Sequence, residues 1–165
     1  MNEHARKLAF GPFHNMAIAD DTNDTPPDGF ERLPTFGPYH QMAGPMYWRR
    51  DDGAMVVGLR VQDKHRNRGA MMHGGMICTL ADTACHWAAK HAREPLLVAL
   101  TTGLNVSLMG NAGPGEWVEA RAQVLRAGRS IVFTDCRISS AGRTIAQASA
   151  QFQIVGEDTT GAGAR

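Results

Sequence analysis

The sequence predicts an α+β domain in which an antiparallel sheet of about six strands wraps around one central helix. One long apolar pattern of helical period runs from about residue 74 to residue 91. Six strand-like segments, two before this pattern and four after it, are separated by turns rich in Gly, Asp and Asn. A helix that is apolar on most sides has to be covered, and a sheet buries its own apolar face by curling over such a helix.

Length, charge and cysteine content narrow the class of protein. A chain of 165 residues with 43% hydrophobic residues fits one domain with a sizeable core. A net charge of +1 gives no general reason to expect nucleic acid, and no apolar stretch reaches membrane-spanning length, so we expect a soluble, cytoplasmic protein. The cysteines lack the paired spacing of a zinc site, and we expect neither a metal nor a cofactor.

Residues 1–43 are predicted to form an N-terminal arm or linker, because they are rich in Asp, Thr and Pro. The segment at 10–17 recurs at 36–43, with six of eight positions identical. Two interpretations fit this repeat: a duplication tolerated in a tail, which we favour, or a first copy able to dock where the second docks. The globular domain is predicted over 44–155, and 156–165 reads as a flexible tail.

The two strands before the helix form a predicted hairpin. Residues 45–50 and 54–61 flank Asp51-Asp52-Gly53, and an Asp-Gly pair between such runs favours a tight turn. Short turns between the four later strands predict an antiparallel meander over 96–109, 117–125, 130–139 and 144–155.

The helix itself carries unusual chemistry. Gly74 and Gly75 at its head leave backbone N–H groups without intrahelical partners, and Asp82 interrupts an apolar run two turns later. Bare donors followed by an acid suggest a site that polarises a carbonyl and activates water. Residues at three- and four-residue steps form what we call the polar stripe: Thr79, Asp82, Thr83, His86 and Lys90. The competing interpretation is that the polar stripe is simply a solvated helix face.

Motifs around this helix resemble a known family. The order Asn67, His73-Gly74-Gly75 and 80–84 (Leu-Ala-Asp-Thr-Ala) is similar to the signature of hotdog-fold acyl-CoA thioesterases of the phenylacetate-degradation (PaaI-like) type. Downstream, 101–108, Gly115-Glu116 and Gly128-Arg129-Ser130 keep the family's order and spacing. The resemblance covers about residues 44–155. It implies dimers, commonly paired into tetramers, with active sites at the subunit interface.

The resemblance implies roles for individual residues. Asp82 would act on the thioester as general base or nucleophile, and the Gly74 N–H would polarise the carbonyl. Asn67 would position the substrate carbonyl or the water, and His73 would shape the loop and hydrogen-bond within the site. Thr101 stands where the family often has a Ser or Thr that orients the water from the other subunit.

The predicted substrate-binding residues surround this set. Gly75, Thr83 and His86 are candidates for the pocket wall, because they adjoin the predicted catalytic residues. Arg126 and Arg129 occupy a meander turn and could hold the phosphates of a coenzyme A ligand. Solvated turn charges are the competing interpretation for these arginines.

The chain departs from the family pattern in two places. The family has Gly three residues before its His, whereas this chain has Ala70 there and Gly69 one residue earlier. The Asn67 loop is therefore the part of the site expected to differ most. Gly103 replaces an Asp that the family favours, which would widen the pocket or remove an interface contact.

Two other functions remain open at this point. A hotdog enoyl-CoA hydratase or dehydratase would use a His and an acid, and His73 with Asp82 could serve in that way. A non-catalytic acyl-CoA binding protein would bind the ester and release no thiol. We find neither a Ser-His-Asp order nor a nucleophile elbow for an α/β-hydrolase.

Overall fold

A computed structural model describes residues 24–34 and 37–158. The described chain contains, in order, β1 (Glu31–Arg32), α1 (Pro38–Ala43), β2 (Tyr47–Asp51), β3 (Ala54–Arg60), a 3-10 turn (Asp63–His65), α2 (Gly74–Lys90), β4 (Leu96–Leu108), β5 (Trp117–Ala127), β6 (Ile131–Ser140) and β7 (Arg143–Asp158). Neither α1 nor α2 is long and apolar enough to cross a membrane.

All strands belong to one antiparallel sheet, whose order is β1-β2-β3-β5-β6-β7-β4. The sheet curls around α2, which contacts the five strands β3 to β7. The predicted wrapped helix is therefore confirmed, with seven strands instead of about six. The additional strand is β1, whose two residues are too few to produce a recognisable alternating pattern.

The central helix forms because its sequence suits both a helix and a buried position. His73 caps its first turn, Ala is frequent, and the chain leaves the helix before Pro95. One face is fully covered by the sheet, and its members are Met76, Ile77, Leu80, Ala81, Ala84, Cys85, Trp87, Ala88 and Ala89. The predicted hairpin is also confirmed, since Asp52 and Gly53 take left-handed φ values of 48° and 76°.

The predicted four-stranded meander is wrong in one respect. β5, β6 and β7 are consecutive neighbours, but β4 pairs with β7 at the far edge and β5 pairs with β3. The segment between β4 and β5 does not form a hairpin turn. Ala112 O accepts from the N–H of Met72, and Gly115 N–H donates to Val61 O, just after β3. The segment thus crosses to β3 and connects β4 with β5, which are not neighbours in the sheet.

The ends of the domain extend beyond the predicted limits. Residues 31–32 and 38–43, expected in the arm, form β1 and α1, and both contact the domain. β7 continues through Gly156 to Asp158, three residues into the predicted tail, because these residues pair with the start of β4. The first copy of the repeated motif, at 10–17, lies outside the described residues.

Candidate active site

The predicted acid lies beside a hydroxyl group from another element. Asp82 is half-buried on α2, and the Thr101 hydroxyl on β4 donates to its Oδ1 over 3.0 Å. A β-bulge between Thr101 and Gly103 shifts the pairing of β4 with β7 at this point. Bulges commonly re-aim a side chain next to a functional site. A Cβ at position 103 would meet Gln151 at 3.9 Å, which is ordinary contact, so no steric constraint demands Gly103 here.

The Asn67 loop is held by the side chain of Asn67 itself. Its Oδ1 accepts hydrogen bonds from the N–H groups of Gly69 at 2.8 Å and Met71 at 3.2 Å. This arrangement is the turn-forming role of Asn, and it assigns the amide orientation. With Oδ1 occupied by two donors, the NH2 group is the part of the side chain that can donate to a ligand.

The backbone of the Asn67 loop is left-handed at Ala70 and not at Gly69. Ala70 has a φ of 60°, in the left-handed region, whereas Gly69 does not have a positive φ. The loop therefore keeps a left-handed residue three positions before His73, where the family has Gly, and fills it with Ala. An L-residue in this conformation costs roughly 1–2 kcal/mol.

The helix N-terminus offers one backbone donor. His73 is the N-cap residue of α2, and its Nδ1 accepts from the Gly75 N–H at 2.8 Å. Nδ1 is thus an acceptor, which places the proton of neutral His73 on Nε2. The first helical residue, Gly74, has no acceptor for its N–H among the described residues, and the helix dipole favours negative charge there. The Gly74 N–H is therefore available to an acceptor, while the Gly75 N–H is occupied.

The α-carbon of Gly74 is closely covered. A Cβ at this position would lie 2.9 Å from Cδ1 of Leu108, at the end of β4. A Cβ at Gly75 would lie 3.0 Å from Nδ1 of His73 and would disturb the N-cap. Both glycines thus allow close approach of a neighbouring side chain.

One chain does not bring the two halves of the predicted site together. Gly74 and Asp82 are eight residues apart on the same helix. With a rise of 1.5 Å per residue, they are separated by about 12 Å along the axis. One carbonyl group cannot contact both groups over that distance. Thus Asp82 and Thr101 lie in one half of the predicted site, and Asn67, His73 and Gly74 lie in the other.

The polar stripe is not a solvated helix face. Thr83 and Lys90 are buried, and the other members are half-buried. Nζ of Lys90 forms an ion pair of 2.7 Å with Oδ2 of Asp158 at the end of β7. The competing interpretation of the polar stripe is therefore wrong, because neighbouring elements cover it.

His86 lies one turn beyond Asp82 and contacts the sheet. Its ring centroid is 5.8 Å from that of Phe152. Burial lowers the pKa of His86 below its ordinary value, although the nearby Asp82 carboxylate acts in the opposite direction. At neutral pH His86 is therefore uncharged, and its role in the pocket wall stays a prediction.

Sequence reasoning missed the part that α1 plays. Tyr39 Oη lies 2.7 Å from Oγ1 of Thr79, and His40 Nε2 lies 3.3 Å from Oγ1 of Thr83. The carbonyl of Ala43, at the end of α1, accepts from Nε2 of the buried His65 at 2.9 Å. The signal in the sequence was the repeat itself, since Tyr39 and His40 belong to its second copy.

The predicted phosphate-binding arginines do not reach Asp82 in the same chain. Arg126 pairs with Phe133, which pairs with Gln151, whereas the next residue, Phe152, is buried under α2. Successive strand residues face opposite sides, so Arg126 lies on the face of the sheet turned away from α2. Arg129 is exposed in the turn between β5 and β6. Their role toward coenzyme A stays a prediction.

Known proteins resemble the chain in sequence and in fold. The family model of the thioesterase superfamily matches residues 69–147, which include Gly74, Asp82 and Thr101. A Pseudomonas aeruginosa protein named as an esterase is 36% identical over 129 residues, covering 78% of this chain and 96% of that protein. Human acyl-coenzyme A thioesterase 13 is 29% identical over 97 residues, covering 58% of this chain and 69% of that protein. The E. coli PaaI protein of the phenylacetic acid degradation operon superposes with a TM-score of 0.62 at 24% identity, covering 68% of this chain and 80% of that chain. The predicted hotdog fold is therefore confirmed.

Proposed function

This chain belongs to the thioesterase superfamily and is a thioesterase, and we propose that it hydrolyses acyl-CoA thioesters to a free acid and coenzyme A. The family predicted from the sequence is thus confirmed. The choice of substrate is supported by the human relative, which is named an acyl-coenzyme A thioesterase. The observation that carries the proposed mechanism is the half-buried carboxylate of Asp82 with the Thr101 hydroxyl on its Oδ1.

Asp82 acts on the thioester carbonyl in one of two ways. As a general base, its carboxylate takes a proton from water while the water oxygen bonds to the carbonyl carbon. As a nucleophile, one carboxylate oxygen bonds to that carbon, and water later hydrolyses the resulting mixed anhydride. Thr101 holds one carboxylate oxygen by its hydrogen bond, which leaves the other oxygen for the reaction.

Both routes pass through a tetrahedral oxyanion. The Gly74 N–H donates to this oxyanion at the positive end of the helix dipole. The NH2 group of Asn67 orients the same carbonyl or the attacking water. The C–S bond then breaks, its electron pair leaves with the sulfur of coenzyme A, and the thiolate takes up a proton.

The active site is shared between two subunits in this proposal. The separation of about 12 Å between Gly74 and Asp82 supports it, because a partner helix running the other way would bring its Asp82 to this Gly74. The last strand of the sheet, β4, also has no neighbour on its outer edge among the described residues. Apolar side chains stay exposed along it at Val98, Leu100, Leu104 and Leu108. Such an edge is a template for pairing with a second chain, so we infer a homodimer, which could pair again into a homotetramer.

A thiol-release assay tests the proposal directly. Wild-type protein is supplied with short, medium and aromatic acyl-CoAs, and Asp82→Asn is expected to lower turnover by about a hundredfold or more. Asp52→Asn is the matched control, because Asp52 is exposed in the β2–β3 turn with a left-handed φ that Asn also accepts. Equal turnover by Asp82→Asn and wild type would overturn the assignment.

The same assay separates the competing activities. Loss of enoyl absorbance without release of thiol would indicate a hydratase, and binding of the ester without any product would indicate a binding protein. Single-turnover hydrolysis in isotopically labelled water then tests the nucleophilic route. Label recovered in the Asp82 side chain would indicate the nucleophile, whereas label in the acid product alone is expected both for the general base and for a mixed anhydride that water opens at the acyl carbon.

A further inference from the structure

We propose that α1 is the specificity wall of the acyl site, with the Tyr39 ring as its apolar surface and the Tyr39 hydroxyl as its tether to α2. The ligand that this wall takes is an apolar acyl group longer than acetyl. This inference rests on the proposed thioesterase function at Asp82 and goes beyond it by naming residues that select the acyl group.

Hydrogen counting fixes the direction of the tether. A threonine hydroxyl has a single proton, and Thr79 donates its own to the carbonyl of Gly75 at 3.0 Å. At the 2.7 Å contact with Tyr39, Thr79 Oγ1 is therefore the acceptor and the tyrosine O–H is the donor. A phenylalanine at this position could not replace that bond, and the first copy of the repeat carries Phe13 here.

The second tether follows the same rule. Thr83 donates its proton to the carbonyl of Thr79 at 2.7 Å, so it accepts from Nε2–H of His40 over 3.3 Å. Thr79 and Thr83 stand on either side of Asp82 along the helix. The two bonds thus hold α1 across the segment of α2 that carries the acid.

A helix as short as α1 depends on such tethers. It has six residues and no side-chain cap at Gly37, and a helix of this length is not stable alone. Its last residue, Ala43, is held by His65, and the His65 carbonyl accepts from the N–H of His73 at 2.7 Å. One end of α1 is therefore tied beside the acid, and the other end to the loop that leads into Gly74.

Despite its tether, the ring of Tyr39 stays open to a ligand. Tyr39 is 55% exposed, and Met42 on the next turn of α1 is 66% exposed. Thr79 and Asp82 are three residues apart, so their α-carbons are separated by about 4.5 Å along the helix axis, and the Tyr39 hydroxyl is bound to the Thr79 side chain. Acetyl extends one carbon beyond the carbonyl, a bond of about 1.5 Å, so it stops short of the ring, whereas longer acyl groups reach it.

The test is the ratio of kcat/KM for hexanoyl-CoA to kcat/KM for acetyl-CoA. Tyr39→Ala is expected to lower this ratio roughly three- to tenfold, because only the longer acyl group loses the ring contact. Tyr39→Phe keeps the ring but removes the donor of the hydrogen bond to Thr79, and Thr79→Val removes its acceptor, so each is expected to lower the ratio by less. Because both variants remove the same bond, the ratio for the double variant Tyr39→Phe/Thr79→Val is expected to be no lower than for either single variant. Leu125→Ala, which removes an equally exposed apolar side chain from β5, is the control and should show the wild-type ratio.

The outcomes separate this inference from the proposed function. No thiol release by the wild type from any acyl-CoA overturns the proposed function, and the specificity wall with it. Thiol release with a wild-type ratio in both Tyr39→Ala and Tyr39→Phe overturns the specificity wall alone. If Tyr39→Ala fails to fold, Tyr39→Leu replaces it, because leucine keeps an apolar side chain on α1. The ratio of kcat/KM for hexanoyl-CoA to kcat/KM for acetyl-CoA is then compared between Tyr39→Leu and wild type.

Discussion

The Thr101 hydroxyl donates a hydrogen bond of 3.0 Å to Oδ1 of Asp82, and so joins the edge strand β4 to the middle of α2. A hydrogen bond to a charged group contributes roughly 1.5–3 kcal/mol. Thr101→Val keeps the side-chain shape and removes the donor, so we expect kcat/KM for an acyl-CoA to fall roughly tenfold or more. Thr101→Ser keeps the hydroxyl, so its kcat/KM should fall much less.

The comparison of these two variants isolates the hydroxyl. Steady-state thiol release under identical conditions measures both, with thermal melting to verify that each is folded. Wild-type kcat/KM in Thr101→Val would show that the bond to Asp82 does not contribute, and a loss confined to Thr101→Ser would assign the effect to the methyl group.

Gly74 permits an equally direct test of the backbone donor. Proline is well accepted at the first helical position and lacks only the N–H, and His73 has a ψ of 137° that suits a residue before proline. Gly74→Pro is therefore expected to keep the helix and lose about a hundredfold or more in kcat, which is typical for the loss of one oxyanion donor. The measurement is kcat for the best acyl-CoA substrate.

Gly74→Ala is the matched control for that substitution. Its Cβ meets Cδ1 of Leu108 as the proline Cβ does, and this flexible, exposed side chain can move away. Alanine retains the N–H, so its loss should be far smaller than that of proline. Similar losses in both variants would attribute the effect to Leu108 and not to the donor.

The separation of Gly74 from Asp82 predicts complementation between inactive chains. A dimer of one Asp82→Asn chain and one Gly74→Pro chain contains one site with both defects and one intact site. Random assembly makes half of the dimers mixed, so co-expressed chains should regain about a quarter of wild-type activity. Each variant alone is the control. No recovery in purified mixed dimers would show that each chain builds its own site.

The sequence predicted the elements whose signals are local. The central helix, the Asp52-Gly53 hairpin and the strand segments follow from periodicity and turn residues, and they lie where predicted. The candidate residues Asp82 and Gly74 were also recognisable, since an acid in an apolar run and glycines at a helix start are visible in the sequence.

The relationships that the sequence did not reveal are non-local. The pairing of β4 with β7 depends on the path of the chain after α2, and no periodicity reports which edge of a sheet a strand joins. The contact of Tyr39 with Thr79 spans 40 residues and needs α1, whose six residues are too short for a clear helical pattern. The left-handed Ala70 was hidden because only Gly, Asn or Asp signals that conformation in a sequence.

Ala70 leads to a prediction about stability. Its φ of 60° disfavours any residue with a Cβ, and glycine would relieve that strain while adding entropy to the unfolded chain. The two effects leave a net stabilisation of about 0.5–1 kcal/mol for Ala70→Gly. Denaturant unfolding measures it, and Ala127→Gly, at an exposed position without a positive φ, is the control that adds the same entropy to the unfolded chain without relieving strain. A loss of stability in Ala70→Gly would show that the loop is not held in this conformation.

His65 predicts how stability depends on pH. It is 3% exposed, Nδ1 accepts from the N–H of Gln62 at 3.0 Å, and Nε2 donates to Ala43 O. Burial lowers the pKa of His65 in the folded state from the ordinary value of 6.5. Between these two pKa values the unfolded chain binds a proton that the folded chain does not. The free energy of unfolding therefore falls as the pH drops below about 6.5, until the folded pKa is reached.

Replacing the imidazole of His65 with a side chain that does not titrate tests this dependence on pH. His65→Gln can still accept and donate a hydrogen bond but cannot titrate, so its free energy of unfolding should fall less steeply as the pH drops below 6.5. The difference in slope is at most about 1.4 kcal/mol per pH unit for one group.

Other titrating groups act alike in both proteins. His86, whose pKa is also lowered by burial, is present in both and contributes part of the slope. The lowered pKa values of Asp51 and Glu116 act at more acidic pH, below their ordinary values of 3.8 and 4.5. If the free energy of unfolding depends on pH in the same way for His65→Gln and wild type below pH 6.5, then His65 binds as many protons in the folded state as in the unfolded state.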